Sequence, residues 1–186
     1  YSKNNQEDKS FEYLTKSKLK YLEAGNKEEA MGITLEIAYL FTTQKHNFKK
    51  AKSIIQEYIA FAKKLGKDDL LANGYCSWAS TLIEDDPEES KKFFIKAFVH
   101  NNKAFNEETF KTINNNLGVL YSEKLNKPDS ALFYYNKNLD ISIQKNDVNE
   151  ICTNYINIAA AYYYKGEHQQ AIKLLNKANE IELTEY

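Results

Sequence analysis

Residues 158–178 read IAAAYYYKGEHQQAIKLLNKA, and residues 117–138 read LGVLYSEKLNKPDSALFYYNKN. In both, a small residue (Gly118, Ala159) is followed three positions on by tyrosine (Tyr121, Tyr162) and later by a second small residue (Ala131, Ala171). The order runs back through the whole chain. The first small residue recurs as Ala38, Ala79, Gly118 and Ala159, at spacings of 41, 39 and 41. The large apolar residue recurs as Phe41, Leu82, Tyr121 and Tyr162. The second small residue recurs as Ala51, Ser90, Ala131 and Ala171, spaced 39, 41 and 40. A pattern repeated every 40 residues or so marks a solenoid of stacked units. Solenoids present long concave surfaces, so the pattern points to a binding module and not an enzyme.

The units are helical. Only eight of 186 residues are Gly or Pro, which suits an all-α chain, and no stretch alternates apolar and polar residues as a strand would. Nine helices are expected, at 9–24, 27–44, 47–65, 68–84, 87–101, 107–125, 128–145, 148–165 and 168–183. Their breaks have mechanisms. Asp86-Pro87-Glu88-Glu89 reads as an N-cap, an N1 proline and an acidic first turn. Pro128 is a second N1 proline, and Asp147 with Glu150 has the spacing of a capping box. Gly25, Gly66 and Gly166 stand where C-caps belong. Linkers of two to five residues make consecutive helices antiparallel neighbours. Where their axes approach to about 8–10 Å, only a small side chain fits, which gives Gly118 and the three alanines their reason. The expected organisation is a frayed 1–8, an unpaired capping helix within 9–27, and repeats at 28–66, 67–105, 106–146 and 147–183.

Composition narrows the function. All 25 basic residues are lysine, and the net charge is −1. Without arginine there is no bidentate fork for guanine edges or phosphates, so nucleic acid is not an expected partner of this segment. No apolar run approaches the ~18 residues of a membrane span. Cys76 and Cys152 fit neither a disulfide framework nor a metal motif, and no glycosylation sequon occurs; a cytoplasmic location is favoured over a periplasmic one. The chain starts at Tyr1 and not Met, which suggests a piece of something longer. His46, His100 and His168 fall near helix ends in three different repeats, so neither a metal site nor any other cofactor is expected. No phosphate loop or nucleophile elbow occurs. Asp68-Asp69 and Asp85-Asp86 read as helix-opening charges, and Cys76 and Trp78 as core filling.

Tyr162, Gly166, Ala171, Leu175 and Ala178, preceded by Ile158-Ala159, resemble a tetratricopeptide repeat. Asn116-Leu117-Gly118 with Tyr121, Ala131 and Tyr135 is similar to it, with one residue inserted in the turn. Blocks 28–65 and 68–101 match more loosely. Asn138 and Tyr58 stand where the second helix of a repeat has alanine. The long period resembles repeats of kinesin light chains and of bacterial regulators that bind short signalling peptides. The resemblance implies a right-handed superhelix whose first helices line a peptide groove. It also implies the docking or sensory part of a larger bacterial regulator.

Counted from the first small residue, positions −6, −2, +1 and +5 share one face of the first helix. They are Gly32, Glu36, Tyr39 and Thr43; Asn73, Ser77, Ser80 and Glu84; Thr112, Asn116, Val119 and Glu123; Thr153, Asn157, Ala160 and Tyr164. With Asn115 beside them, these form the candidate groove. None of the sixteen is lysine and three are glutamate, so the groove is expected to be acidic and to take a neutral or basic extended peptide. Asn116 and Asn157 sit at one level, where amides can satisfy a peptide backbone whatever its side chains. The alternative is a scaffold that self-associates through its ends. Ile172, Leu175, Ala178 and Ile181 lie on the last helix, part of whose apolar surface is expected to be covered by another copy of the chain or by a further segment.

Overall fold

The computed structural model describes residues 2–43 and 47–184, with side chains described for 9–43 and 47–181; His46 lies outside the described residues. Among them there are nine α-helices and no strand: α1 (Ser2–Glu23), α2 (Lys27–Thr43), α3 (Phe48–Leu65), α4 (Asp68–Ser80), α5 (Pro87–Lys103), α6 (Glu107–Val119), α7 (Pro128–Lys145), α8 (Val148–Tyr164) and α9 (His168–Thr184). Each helix packs on the next, and first helices of successive pairs also touch, α2 with α4 and α4 with α6. The chain is an all-α solenoid of paired helices.

The expected N-caps Asp86 and Asp147 form, joined by Asn47 and Asn106. The side chains of Asn47, Asp86, Asn106 and Asp147 accept hydrogen bonds from backbone N–H groups three residues on. Pro87 and Pro128 open their helices, and Gly25, Gly66 and Gly166 take the left-handed backbone that ends one, at φ +80°, +64° and +82°. The α1 backbone is helical from Ser2, ahead of the expected start at residue 9.

All eight small residues are buried, from 0% exposure at Ala51, Ala79, Ser90 and Ala131 to 6% at Ala171. In the second pair they touch across the helix contact, where the Ser90 hydroxyl donates to the Ala79 carbonyl at 2.8 Å. In the third, a Cβ on Gly118 would lie 2.3 Å from the Tyr135 ring. Around these contacts run core clusters, Ala38 with Ile55 and Leu71, Ala79 with Phe94 and Leu117, and Tyr135 with Tyr155 and Ile158.

Two turns depart from expectation, each to keep that contact. Helix α4 stops at Ser80 instead of 84. Ser80 and Thr81 turn their hydroxyls onto the Cys76 and Trp78 carbonyls, and the Leu82 amide closes a tighter bond to Ala79; such side-chain bonds compete with the helical ladder. After α6 the chain widens into a π turn, Leu120–Lys124, which takes up the extra residue noted between Gly118 and Ala131.

The two departures from alanine are matched by their surroundings. Tyr58 is 1% exposed and packs against Gly74, whose Cβ would come within 3.0 Å of its ring. Asn138, 4% exposed, accepts from the Asn114 amide at 3.0 Å and donates to the Lys111 carbonyl at 2.8 Å.

Gly118→Ala should destabilise the fold by about 1–3 kcal/mol, because the rigid Tyr135 ring must shift. Gly32→Ala, in the open on α2, should stabilise it by about 0.5–1 kcal/mol through helix propensity. Urea unfolding of the two variants checks this, and equal effects at both sites would contradict the packing described.

Candidate functional site

Because successive first helices are drawn close together, the residues on their shared face form one row. Three cavities lie along it. The first, about 400 Å³, is lined by Leu35, Ala38 and Tyr39 of α2 with Ser77, Ser80 and Asn116. The second, about 420 Å³, is lined by Asn73, Cys76 and Ser77 of α4 with Thr109 and Thr112 of α6. The third, about 220 Å³, lies between α6 and α8 and is lined by Glu108, Lys111, Thr112, Asn115, Asn138, Glu150, Asn154 and Asn157. Ser77 is shared by the first two cavities and Thr112 by all three, so they make one continuous trough. It runs from an end rich in apolar side chains at Tyr39 to a polar end at Asn157.

Of the candidate residues, Tyr39, Thr43, Asn73, Ser77, Ser80, Thr112, Asn115, Asn116, Thr153 and Asn157 line this trough. Glu36, Glu84, Val119, Glu123, Ala160 and Tyr164 line none of the three cavities. Glu84 falls in the turn after the shortened α4 and pairs with Lys124 at 2.6 Å. Glu123 falls in the π turn. The expected acidic lining therefore does not come from those three glutamates. The carboxylates at the trough are Glu108 and Glu150, and a lysine, Lys111, stands between them at 3.8 and 2.6 Å.

The amides form a ladder between repeats. Asn116 donates to the Ser80 hydroxyl at 3.4 Å, and Asn157 donates to Asn115 Oδ1 at 2.9 Å. Asn73 accepts from the Thr109 hydroxyl at 2.8 Å and lies beside the Tyr58 phenol, which burial pushes up to about 12. The Asn73 amide thus sits where α3, α4 and α6 meet. An amide has two donors and one acceptor, so the bond from Asn157 leaves its oxygen and a second N–H for a ligand.

Beneath the polar end lies a network that the repeat pattern does not reveal. The Ser142 hydroxyl donates to the Asn138 carbonyl at 2.9 Å and accepts from the Asn154 amide at 2.9 Å. It also lies 3.3 Å from Glu150 Oε2, and the other oxygen of Glu150 binds Lys111. Hence Asp147 and Glu150 form half a capping box. Asp147 caps the Glu150 amide, but its own N–H is already bonded to the Ser142 carbonyl. The Glu150 carboxylate is left to turn toward Lys111, whose ammonium it holds above its ordinary value.

The remaining polar candidates are structural. Cys76 is 6% exposed, and burial pushes its thiol up to about 12, so it is not a nucleophile at neutral pH. His100 pairs with Asp68 and lies against the Tyr75 ring. Among the described residues no three His, Cys, Asp or Glu side chains gather as metal ligands, and no helix is long and apolar enough to cross a membrane.

No family model and no curated protein matches the sequence. In structure the chain is similar to the crystal structure of BtubC (BKLC) from P. vanneervenii. The TM-score is 0.52 at 19% identity, over 97% of this chain and 89% of that one. At that identity the likeness is one of fold.

Asn138→Ala restores the residue that the repeat pattern calls for, yet it should destabilise the protein by about 1–3 kcal/mol, because it strands the Asn114 amide and the Lys111 carbonyl. Adding Asn114→Ala should cost less than the sum of the two single changes. A double-mutant cycle in urea checks this; strict additivity would mean that the two amides act independently.

Proposed function

We propose that the chain is a tetratricopeptide-type binding module that holds an extended peptide along the trough, as the docking part of a larger regulatory protein. The observation that carries this reading is the continuity of the three cavities along one row of first helices, with amides set at intervals of one repeat. Tyr39, 66% exposed, offers a ring to an apolar side chain at one end. Asn157 offers a donor and an acceptor to the peptide backbone at the other. The module binds and does not catalyse, and it needs no cofactor. The four first helices together with the π turn hold three lysines against nine carboxylates, which favours a neutral or basic peptide over an acidic tail or a nucleic acid.

Selection of randomised peptides on the folded protein tests this. The sequences bound through the trough should be neutral or basic, and Asn157→Ala or Tyr39→Ala should weaken their binding by about 1 kcal/mol or more with a smaller change in stability. Acidic sequences bound through Asn157 and Tyr39, or neutral and basic sequences bound indifferently to both substitutions, would overturn the reading.

One observation favours a second reading, self-association through the last pair. Four residues after the second small residue stand Ile55, Phe94, Tyr135 and Leu175. The first three are at most 2% exposed, whereas Leu175 is 45% exposed, beside Ile172 at 51%. In the first three pairs this position is covered by the helix that follows. Under this reading a second copy covers it, sedimentation shows a concentration-dependent dimer, and Leu175→Lys abolishes it. A strict monomer would exclude the dimer.

A further inference from the structure

The face turned away from the trough carries an apolar surface that peptide binding does not use. Phe105 is 63% exposed, Phe133 57%, Val99 49% and Ile95 47%. They are one surface. Ile95, Phe98 and Val99 share a face of α5 by helical spacing. Phe98 and Phe105 both pack on Phe110, with ring centroids 5.7 and 5.6 Å apart. Across from them, the Lys137 ammonium on α7 lies 4.6 Å from the Phe133 centroid, 5.4 Å from Phe98 and 6.0 Å from Phe110. One cation thus bridges rings from α5, α6 and α7, and the surface between α5 and α7 is a furrow floored by Phe98 and Phe110. None of these residues lines the trough.

The charge around the furrow has one dominant sign. The four second helices hold thirteen lysines against seven carboxylates. Near the furrow, Lys92 is held by Glu89 at 2.8 Å and Lys103 faces Asp68 at 3.8 Å. Lys96 and Lys137 have no carboxylate partner among the described residues; Lys137 lies over the furrow's own rings, and Lys96 lies at its rim on the α4 side of α5, 4.4 Å from Phe93 and 5.9 Å from Tyr75. Asp140, one turn along α7 from Lys137, is the acidic group on the facing helix. An exposed apolar patch rimmed by charge marks an interaction site. A furrow between two helices suits a third helix laid into it.

We propose that this furrow docks an acidic amphipathic helix of a partner protein. Its apolar side chains, one helical turn apart, cover Ile95, Val99, Phe105 and Phe133. Its flanking carboxylates pair with Lys96 and Lys137, drawing the ammonium of Lys137 off the rings. Two unpaired lysines suffice for two carboxylates. They are too few to hold an anionic bilayer, which takes a cluster of about four to eight basic residues.

The test uses the whole chain and two synthetic helix-forming peptides. Both have leucines spaced to form one apolar stripe; the rest of one is largely glutamate and of the other largely lysine. By fluorescence anisotropy the acidic peptide should bind at the furrow, and any binding of the basic one, which the trough favours, should not respond to substitutions in the furrow. Phe105→Ser with Phe133→Ser should weaken binding about tenfold or more; both side chains are largely exposed, so circular dichroism should show the fold intact. Lys137→Glu should abolish the preference for the acidic peptide, while Asn157→Ala in the trough should leave it unchanged. The proposal is overturned if the acidic peptide does not bind, if the phenylalanine substitutions weaken both peptides equally, or if they have no effect on the acidic one. It is likewise overturned if Asn157→Ala removes binding, if phosphatidylserine vesicles are bound through the same phenylalanines, or if those substitutions dissolve a dimer, which would make a second copy the occupant.

Discussion

Everything in this fold depends on the closeness of two helices at a pair of small residues. Where Ser90 donates to the Ala79 carbonyl, and where Gly118 leaves room for the Tyr135 ring, the two helices of a pair are held at a distance that larger side chains would not permit. The two small positions stand 13, 11, 13 and 12 residues apart in the four repeats, and the chain absorbs the difference in the turn. A tightened end to α4 shortens one path and a π turn after α6 lengthens another. The contact is kept and the connection varies, as expected when packing at native density is more costly to disturb than a solvent-facing turn.

A stack of near-identical units has to keep each unit in its own place. The polar and bulky departures from alanine give the interfaces different identities. Tyr58 requires the missing side chain of Gly74, and Asn138 requires Asn114 and the Lys111 carbonyl. Neither partner set would suit the other interface, where it would leave a clash or an unpaired buried amide. The arrangement has a cost, since Asn114 Oδ1 and Asn101 Nδ2 find no protein partner. The bulky residue thus fixes how one pair stacks on the next, and the polar one how the two helices of a pair meet.

What was legible in the sequence was local or periodic. Prolines, Asx caps and left-handed glycines mark helix ends through interactions spanning three or four residues, and eight of the nine expected helices begin within a residue of the observed ones. The groove row follows from helical period alone, which is why Tyr39, Ser77, Asn116 and Asn157 were found. Glu84 and Glu123 were misplaced because the period was carried past points where the helix changes form. Lys111, Asn138 and Asn154 were missed as a cluster because their partners come from other repeats or neighbouring helices. Only the alanine missing at Asn138 hinted that something polar was buried there. Glu150 was read as a cap because nothing in the sequence shows that the Asp147 N–H is already engaged with the Ser142 carbonyl.

The two layers also differ in sign, and helix dipoles explain part of this. Acidic residues gather at the starts of first helices and lysines at or just beyond the ends of second helices, where each offsets the local partial charge. The ends meet: Glu28 with Lys67 at 2.5 Å, Asp68 with Lys103 at 3.8 Å and Glu107 with Lys145 at 2.5 Å clasp three successive pairs along one edge. These are partly exposed ion pairs, which add little to stability. Their larger consequence is spatial. Pairing along the edge uses up charge there and leaves the excess on the two broad faces, negative over the first helices and positive over the second. For the two proposed ligands, faces of opposite sign attract each to its own side and repel it from the other, so discrimination between them would be built into encounter before any close contact forms.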